Sequence, residues 1–229
     1  MKIQKPHFTL KGSIMIKYIG NTRKKVAVLC DNFKILYKIQ KIFKKRKITA
    51  YFEVKKETFY DAIIFVLNDL DAKKLLKRED LTLLYTVFNN EIHFLLDYAS
   101  ILKDFFVRNA KIGIDPGLHN IGLVVVAENI YIFGEIFSEV QDILDLIDAI
   151  IKYNPRLSNI LIKIGNGVNY DIFLKKIKEK TKNITGQQIA IEIVDEKTAK
   201  QHIVWESFLK NRNILDAYKI LISKGYRRI

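Results

Sequence analysis

The feature that most constrains how this chain folds is a pair of apolar segments, residues 111–115 and 123–127, joined through a Pro-Gly turn. The first segment is rich in isoleucine, ends on the carboxylate of Asp115, and is followed at once by Pro116 and Gly117. β-Branched residues favour strands, and proline and glycine favour tight turns, so the pattern predicts a β-hairpin. Such a hairpin holds Asp115 at the rim of a sheet, facing whatever binds at that edge.

The elements that follow this hairpin predict a mixed sheet with helices on its faces. Further strands are expected at 130–137, 159–164 and 190–194, and helices at 171–180, 202–210 and 214–223, with one more between Ser138 and Asn154. Gln141 lies three residues after Ser138, which is the spacing of a capping box. The first three strands are connected too tightly for crossovers, so they form an antiparallel meander, whereas the later two require right-handed crossovers. The C-terminal part is therefore predicted to be a five-stranded mixed α/β sheet.

The N-terminal half is predicted to be a smaller α/β layer with some parallel pairing. Its expected strands are 25–30, 48–54, 61–67, 81–88 and 92–96. One helix is expected after Asp31 and two more at 71–78 and 100–107, and a short hairpin is expected within 8–16. Asp31 is the expected N-cap of the first helix. The apolar face of that helix is expected to comprise Phe33, Leu36, Tyr37, Ile39 and Phe43. The seam at 108–110 divides the chain into a basic domain, 1–109, and a second domain, 110–229.

Positive charge is concentrated in the N-terminal half. The chain has a net charge of +14, and residues 1–110 contain 22 Lys and Arg against 11 Asp and Glu. Such asymmetry indicates a polyanionic partner, most simply nucleic acid, while a lysine-rich surface that serves only solubility is the alternative. The basic runs supply the candidate contacts Lys24, Lys25, Lys44, Lys45, Arg46 and Lys47.

Composition and cysteine content exclude several classes of protein. Hydrophobic residues make up 49% of the chain and charged residues 28%, proportions typical of a folded rather than a disordered protein. No apolar run approaches the ~20 residues of a membrane span, and the N-terminus lacks the apolar core of a secretory signal. Cys30 is the single cysteine, which excludes an intramolecular disulfide and multi-cysteine zinc patterns. We therefore expect a cytoplasmic protein with no membrane partner.

Acidic residues from three separate elements are expected to converge. In the predicted topology the ends of neighbouring parallel strands lie side by side, which brings Asp115 next to Asp195 and Glu196. Asp216 is expected in the first turn of the last helix. Converging carboxylates repel one another unless a cation lies between them, and hard ions such as Mg²⁺ or Mn²⁺ prefer oxygen ligands. Local roles are the alternatives: a turn residue at Asp115, a helix cap at Asp195 or Glu196, and a helix-dipole charge at Asp216.

Taken in order, these segments resemble a known group of proteins. The Ile-Gly-Ile-Asp-Pro-Gly stretch at 112–117, the Val-Asp-Glu-Lys-Thr stretch at 194–198 and the Asp-Ala pair at 216–217 are similar to the RuvC/YqgF group of the ribonuclease H-like superfamily, Holliday-junction resolvases and their relatives. The resemblance covers residues 111–224. It implies that Asp115, Glu196 and Asp216 bind Mg²⁺ (or Mn²⁺) and cleave a nucleic-acid backbone, and it selects Glu196 over Asp195. The chain departs from RuvC in lacking a Glu near 163–167.

Two functions from different classes follow from this resemblance. The first is a Mg²⁺-dependent nuclease acting on branched or single-stranded DNA in preference to RNA, with Asn166 and Lys197 as further contacts to nucleic acid. Resolvases of this group act as dimers, because a junction has two strands to cut, so a homodimer is also implied. The second is a non-catalytic nucleic-acid-binding or assembly protein that retains the fold. Metal-dependent cleavage of DNA distinguishes the two.

Overall fold

A computed structural model describes residues 17–20, 23–53, 58–67, 83–182, 184–199, 209 and 211–228. The strands are β1 (Lys17–Tyr18), β2 (Val26–Cys30), β3 (Ala62–Val66), β4 (Leu83–Thr86), β5 (Asn109–Asp115), β6 (Ile121–Ala127), β7 (Ile130–Phe137), β8 (Asn159–Gly165), β9 (Gln188–Val194) and β10 (Arg227–Arg228). The helices are α1 (Phe33–Lys45), α2 (Glu91–Lys103), α3 (Val140–Tyr153), α4 (Tyr170–Thr181), α5 (Glu196–Ala199) and α6 (Arg212–Ile222). The predicted hairpin within 8–16, the helix at 71–78 and the helix at 202–210 lie outside the described residues, apart from residue 209.

The smaller sheet contains three parallel strands in the order β2-β3-β4, which confirms the predicted α/β layer. Helix α1 follows β2, and its cap is Asn32 rather than Asp31. The Asn32 side chain accepts hydrogen bonds from the backbone N–H groups of Lys34 (3.0 Å) and Ile35 (3.2 Å). The strand predicted at 48–54 is reduced to an isolated bridge between Tyr51 and Ala27.

The strand predicted at 92–96 is wrong, because these residues belong to helix α2. Asn90 caps the helix by accepting a hydrogen bond from the backbone N–H of His93 (2.9 Å). Nearly every residue from 92 to 101 is buried. A helix that is buried on all sides has no polar face, so its sequence does not show the 3.6-residue period that separates a helix from a buried strand.

The buried face of α1 also differs from the expectation. Its buried residues are Ile39, Ile42 and Phe43, whereas Phe33 is 83% exposed and Tyr37 is 58% exposed. The helix sequence offers apolar residues on more than half of its circumference. Which of them are covered is decided by the surface on which the helix packs.

The larger sheet has the order β1-β7-β6-β5-β8-β9-β10. Strands β5, β6 and β7 form the predicted antiparallel meander, and β8 and β9 run parallel to β5 as crossover strands. This is the predicted mixed five-stranded arrangement, extended at each edge by a two-residue strand that the sequence pattern did not indicate. Helix α3 begins after Glu139, without a side-chain cap, so the capping box predicted at Ser138 does not form.

The two sheets share one continuous hydrophobic core. A single cluster of buried side chains includes Ile64 in the smaller sheet, Phe94 in α2 and Ile112 in the larger sheet. Arg46, which follows α1, reaches the larger sheet as well: its guanidinium bonds the Gly134 carbonyl oxygen (3.2 Å). The two parts of the chain are therefore packed directly on each other. None of the described helices is long and apolar enough to cross a membrane.

Candidate active site

Asp115 is the last residue of β5, and its side chain lies on the face of the sheet that α6 covers. Gly113, two residues earlier and therefore on the same face, lies so close to the helix that an added Cβ would collide with the Ala217 carbonyl oxygen. Asp115 pairs across the hairpin with Gly122, where an added Cβ would collide with the Asn213 carbonyl oxygen. The missing side chains at Gly113 and Gly122 let the helix backbone rest on the strands beside Asp115.

Asp216 projects from α6 toward the strand that neighbours β5. On this helix, Ile214 contacts β7 near Gly134, and Ile220 contacts β8 near Gly165. Residues four apart share a helix face, so Asp216 lies on the β8 side, one turn before Ile220. The sequence predicted that Asp216 lies in the first turn of the last helix. In the structure it is the fifth residue of α6 and lies beyond that turn. Its side chain is 14% exposed, and the Arg212 guanidinium lies 3.9 Å from its carboxylate.

Glu196 follows β9 and folds back over the end of β8. An added Cβ at Gly165 would lie 2.6 Å from Glu196 Oε1 and 2.8 Å from the Ile220 side chain. The carboxylate therefore lies on the α6 face, in space that any larger residue at this position would fill. Gly167 provides the other side of this cradle, since a Cβ there would lie 2.9 Å from the Glu196 carboxyl carbon.

Asp195 has a different role from its neighbour. Its backbone carbonyl accepts the first hydrogen bond of α5, from the Ala199 N–H (2.9 Å). Its side chain accepts bonds from the Thr198 hydroxyl (2.8 Å) and the Lys197 N–H (3.2 Å). The Thr198 bond is the main reason that the pKa of Asp195 is lowered from its ordinary value. Asp195 is thus a helix cap, which leaves Glu196 as the carboxylate directed over the sheet.

The fold brings Asp115, Glu196 and Asp216 to one edge and one face of the sheet. Strands β5 and β8 are adjacent and in register up to Ile114 and Ile164, and neighbouring strands are about 4.8 Å apart. The ends that carry Asp115 and support Glu196 are therefore side by side. Within the described residues, no three His, Cys, Asp or Glu side chains are close enough to hold one ion. The three carboxylates thus share an edge and a face of the sheet, but the predicted convergence into one ligand cluster is not formed among the described residues.

Asn166 and Lys197, the other two residues near this edge that were predicted to contact nucleic acid, differ in their surroundings. Asn166 is exposed, and its side-chain oxygen accepts a hydrogen bond from the Glu196 backbone N–H (3.0 Å). It therefore fixes the start of α5, a positioning role that sequence reasoning missed because the two residues are 30 positions apart. Lys197 is exposed one residue beyond Glu196.

The basic residues predicted to contact nucleic acid fall into two groups. Lys25, Lys44 and Lys47 are exposed. The others have intramolecular partners: Lys24 pairs with Asp104, Lys45 pairs with Glu135, and Arg46 is buried between Glu91 and Glu135. Arg46 also lies over the Phe133 ring, 4.6 Å from its centroid. We therefore assign Arg46 to the packing of the two halves of the chain.

Comparison with known proteins gives similarity at the level of the fold. No protein-family model matches the chain, and no curated protein matches it in sequence. Among solved structures, RuvC from Thermus thermophilus in complex with a Holliday junction is 14% identical, with a TM-score of 0.36 over 50% of this chain and 91% of RuvC. A second structure of T. thermophilus RuvC is 16% identical, with a TM-score of 0.34 over 49% and 91%.

Argonaute from Kluyveromyces polysporus with a guide RNA is 10% identical, with a TM-score of 0.25 over 79% of this chain and 32% of Argonaute. The structural similarity to RuvC over about half of the chain agrees with the resemblance expected from the sequence. Similarity of this size concerns the fold alone. Any functional conclusion must therefore rest on the side chains of this protein.

Proposed function

We propose that this protein is a divalent-metal-dependent nuclease that cleaves phosphodiester bonds in DNA. The observation that carries the proposal is the placement of three carboxylates, Asp115, Glu196 and Asp216, on one face of one sheet edge, although they come from three separate elements. These three residues lie at a strand end, at a helix start and inside a helix, and no single feature of local structure favours an acidic residue at all three places. Binding of one shared cation would explain the carboxylate at each of them.

The donor atoms of these three side chains suit a hard divalent ion such as Mg²⁺ or Mn²⁺, although their present spacing does not yet enclose one. All three side chains offer oxygen, the ligand type that these ions prefer. The glycines at 165 and 167 leave room for the Glu196 carboxylate at the site. Metal ions held by Asp115, Glu196 and Asp216 would supply an activated water and stabilise the leaving oxygen of a phosphodiester. The protein's own contribution is to fix the carboxylates on a rigid sheet and helix.

The proposed substrate is branched or single-stranded DNA. The net charge of +14 favours a polyanion, and contacts from lysines to phosphates make binding sensitive to salt. Lys197 is positioned to contact the strand being cut, because it is exposed next to Glu196. A homodimer would place two such sites on a four-way junction.

The test is cleavage of a labelled four-way junction and of single-stranded DNA with Mg²⁺ or Mn²⁺. Asp115→Asn should lower the cleavage rate at least about a hundredfold, because loss of even a residue that only supports a metal ligand costs about 10- to 100-fold, while DNA binding is retained. Asp195→Asn is the matched control, since Asn caps helices as well as Asp does. It should cleave at close to the wild-type rate. Equal losses in both variants would show that the acidic edge serves folding and not chemistry.

A second candidate is a nucleic-acid-binding protein without turnover. The absence of three ligating side chains at bonding distance among the described residues favours it. If wild-type protein cuts neither branched DNA, linear DNA nor RNA with either ion, yet binds DNA, this second function replaces the first.

A further inference from the structure

The outward face of α1 carries aromatic rings that the fold does not use. Phe33 is 83% exposed and Tyr37 is 58% exposed. They are four residues apart, so both rings lie on one line along the helix, with about 6 Å of rise between them. The helix is held to the protein by other residues, namely Ile39, Ile42 and Phe43.

Lysines border this aromatic line. The helix contains five lysines and no acidic residue. At 100° per residue, Lys44 falls on the same line as the two rings, and Lys41, Lys34 and Lys38 form a parallel row on its flank. These four lysines are exposed. The ammonium group of Lys41 lies 4.8 Å from the centroid of the Tyr37 ring, so cation and ring already share one surface.

The helix that presents this face is fixed at both ends. Asn32 caps its start through two backbone hydrogen bonds. At its other end, Arg46 is anchored to the larger sheet through Glu135 (2.6 Å) and to α2 through Glu91 (2.8 Å). A ligand on this face therefore meets a rigid surface, and little order has to be created on binding.

We propose that the outward face of α1 is a binding site for single-stranded nucleic acid, on which bases stack against Phe33 and Tyr37 while phosphates contact Lys34, Lys38, Lys41 and Lys44. Aromatic rings that stack bases beside a positively charged track are the features of sequence-tolerant single-strand binding. The charge of this face complements a phosphate chain. A membrane-bound helix would instead present a broad apolar face, and here that face is covered by the protein.

This inference rests on nucleic acid as the substrate in the proposed function, but it does not rest on cleavage. None of its residues belongs to the carboxylate edge formed by Asp115, Glu196 and Asp216. Binding measured in EDTA therefore tests the α1 face alone, whatever the outcome of the cleavage experiments.

The experiment measures the affinity for fluorescein-labelled oligo(dT) by fluorescence anisotropy at several salt concentrations. The double variant Phe33→Ala/Tyr37→Ala should bind more weakly by a factor of at least about five for each of the two rings removed. This factor is the lower end of base-stacking effects. The slope of log K against log salt should not change. Lys34→Gln/Lys38→Gln should instead reduce that slope by about 0.7 for each lysine, because each releases one fewer counterion.

Two controls separate stacking from general effects. Tyr37→Phe keeps the ring and should bind like the wild type. Phe105→Ala removes another exposed aromatic ring that lies near a lysine, Lys103 at 6.0 Å, and should leave affinity within twofold. Unchanged binding by Phe33→Ala/Tyr37→Ala overturns the inference. It is also overturned if the double variant loses only binding to phosphatidylserine vesicles, or only self-association, while oligo(dT) affinity stays the same.

Discussion

Replacing Gly122 with alanine tests the close contact that places Asp216 beside Asp115. The new Cβ would lie 2.7 Å from the Asn213 carbonyl carbon and closer still to its oxygen, and 3.3 Å from the Ala217 Cβ. The obstructing atoms belong to the helix backbone, so no side-chain rotation relieves the overlap and α6 must move away from the sheet. Overpacking of this kind costs about 1–3 kcal/mol. The lower entropy of the unfolded alanine chain offsets about 0.4–1 kcal/mol of that.

The free energy of unfolding of Gly122→Ala should therefore be about 1–2 kcal/mol lower than that of the wild type. For a chain of this length, about 2–4 °C of melting temperature corresponds to each kcal/mol, so the melting temperature should fall by about 2–8 °C. Urea unfolding followed by circular dichroism gives the free energy, and a thermal scan gives the temperature. Cleavage activity, where the wild type shows it, should fall as well, because the shift carries Asp216 away from the edge.

Gly165→Ala is the matched control. Its new Cβ would meet the Glu196 carboxylate and the end of the Ile220 side chain, which are flexible ends that can rotate aside. This variant should unfold at close to the wild-type temperature while displacing Glu196. A Gly122→Ala protein as stable as the wild type, or a Gly165→Ala protein less stable than Gly122→Ala, would refute the proposed packing of α6 on β5 and β6.

Two further perturbations test the packing between the halves and the buried acid of α2. Arg46→Met should lower the free energy of unfolding by about 2–3 kcal/mol, since it removes charged hydrogen bonds to Glu91 (2.8 Å) and Glu135 (2.6 Å) and takes the Arg46 cation away from the partly buried Glu91 carboxylate. Glu135 keeps its ion pair with Lys45. Arg46→Lys, which keeps charge without the forked geometry, should recover only part of this loss in urea unfolding. Burial raises the pKa of Asp97, opposed by His93 and by the Thr86 hydroxyl bond. Its ionised form is therefore disfavoured in the folded state, and stability is lost as pH rises from its unfolded pKa of about 3.9 through the higher folded value. The difference in free energy of unfolding between Asp97→Asn and the wild type should consequently shift in favour of the variant as the pH increases from about 4 to 7. A difference that stays constant across that range would contradict this expectation.

Sequence patterns predicted best the strands whose residues are β-branched and whose ends carry turn signals. Strand β7 was expected at its observed bounds, and β5, β6, β8 and β9 within about two residues of theirs. The same reasoning failed for α2, where burial on all sides removes the polar face that reveals a helix. It also failed for α1, because Phe33 and Tyr37 look like core residues in a pattern that counts only apolarity.

For the basic residues, too, the sequence predicted one part of the outcome and the tertiary structure decided the other. All four residues of the run at 44–47 were predicted to contact nucleic acid, yet Arg46 points inward and Lys45 pairs with Glu135. Consecutive helical residues point in directions about 100° apart, so a run of like charges at the end of a helix is divided between solvent and interior. The sequence indicates how much charge is present, but only the packing of α1 determines which residues carry it to the surface.

From the sequence alone, the order of strands and helices from β5 to β9 was determined, as were the acidic residues that end β5 and follow β9, because these depend on local residue preferences. Tertiary structure decided which carboxylates share a face. Asp195 is taken by the start of α5, Glu196 passes over the glycines at 165 and 167, and Asp216 lies on the β8 side of a helix that rests on Gly113 and Gly122. These outcomes depend on how closely a helix approaches a sheet, which is set by contacts between residues a hundred positions apart in the chain.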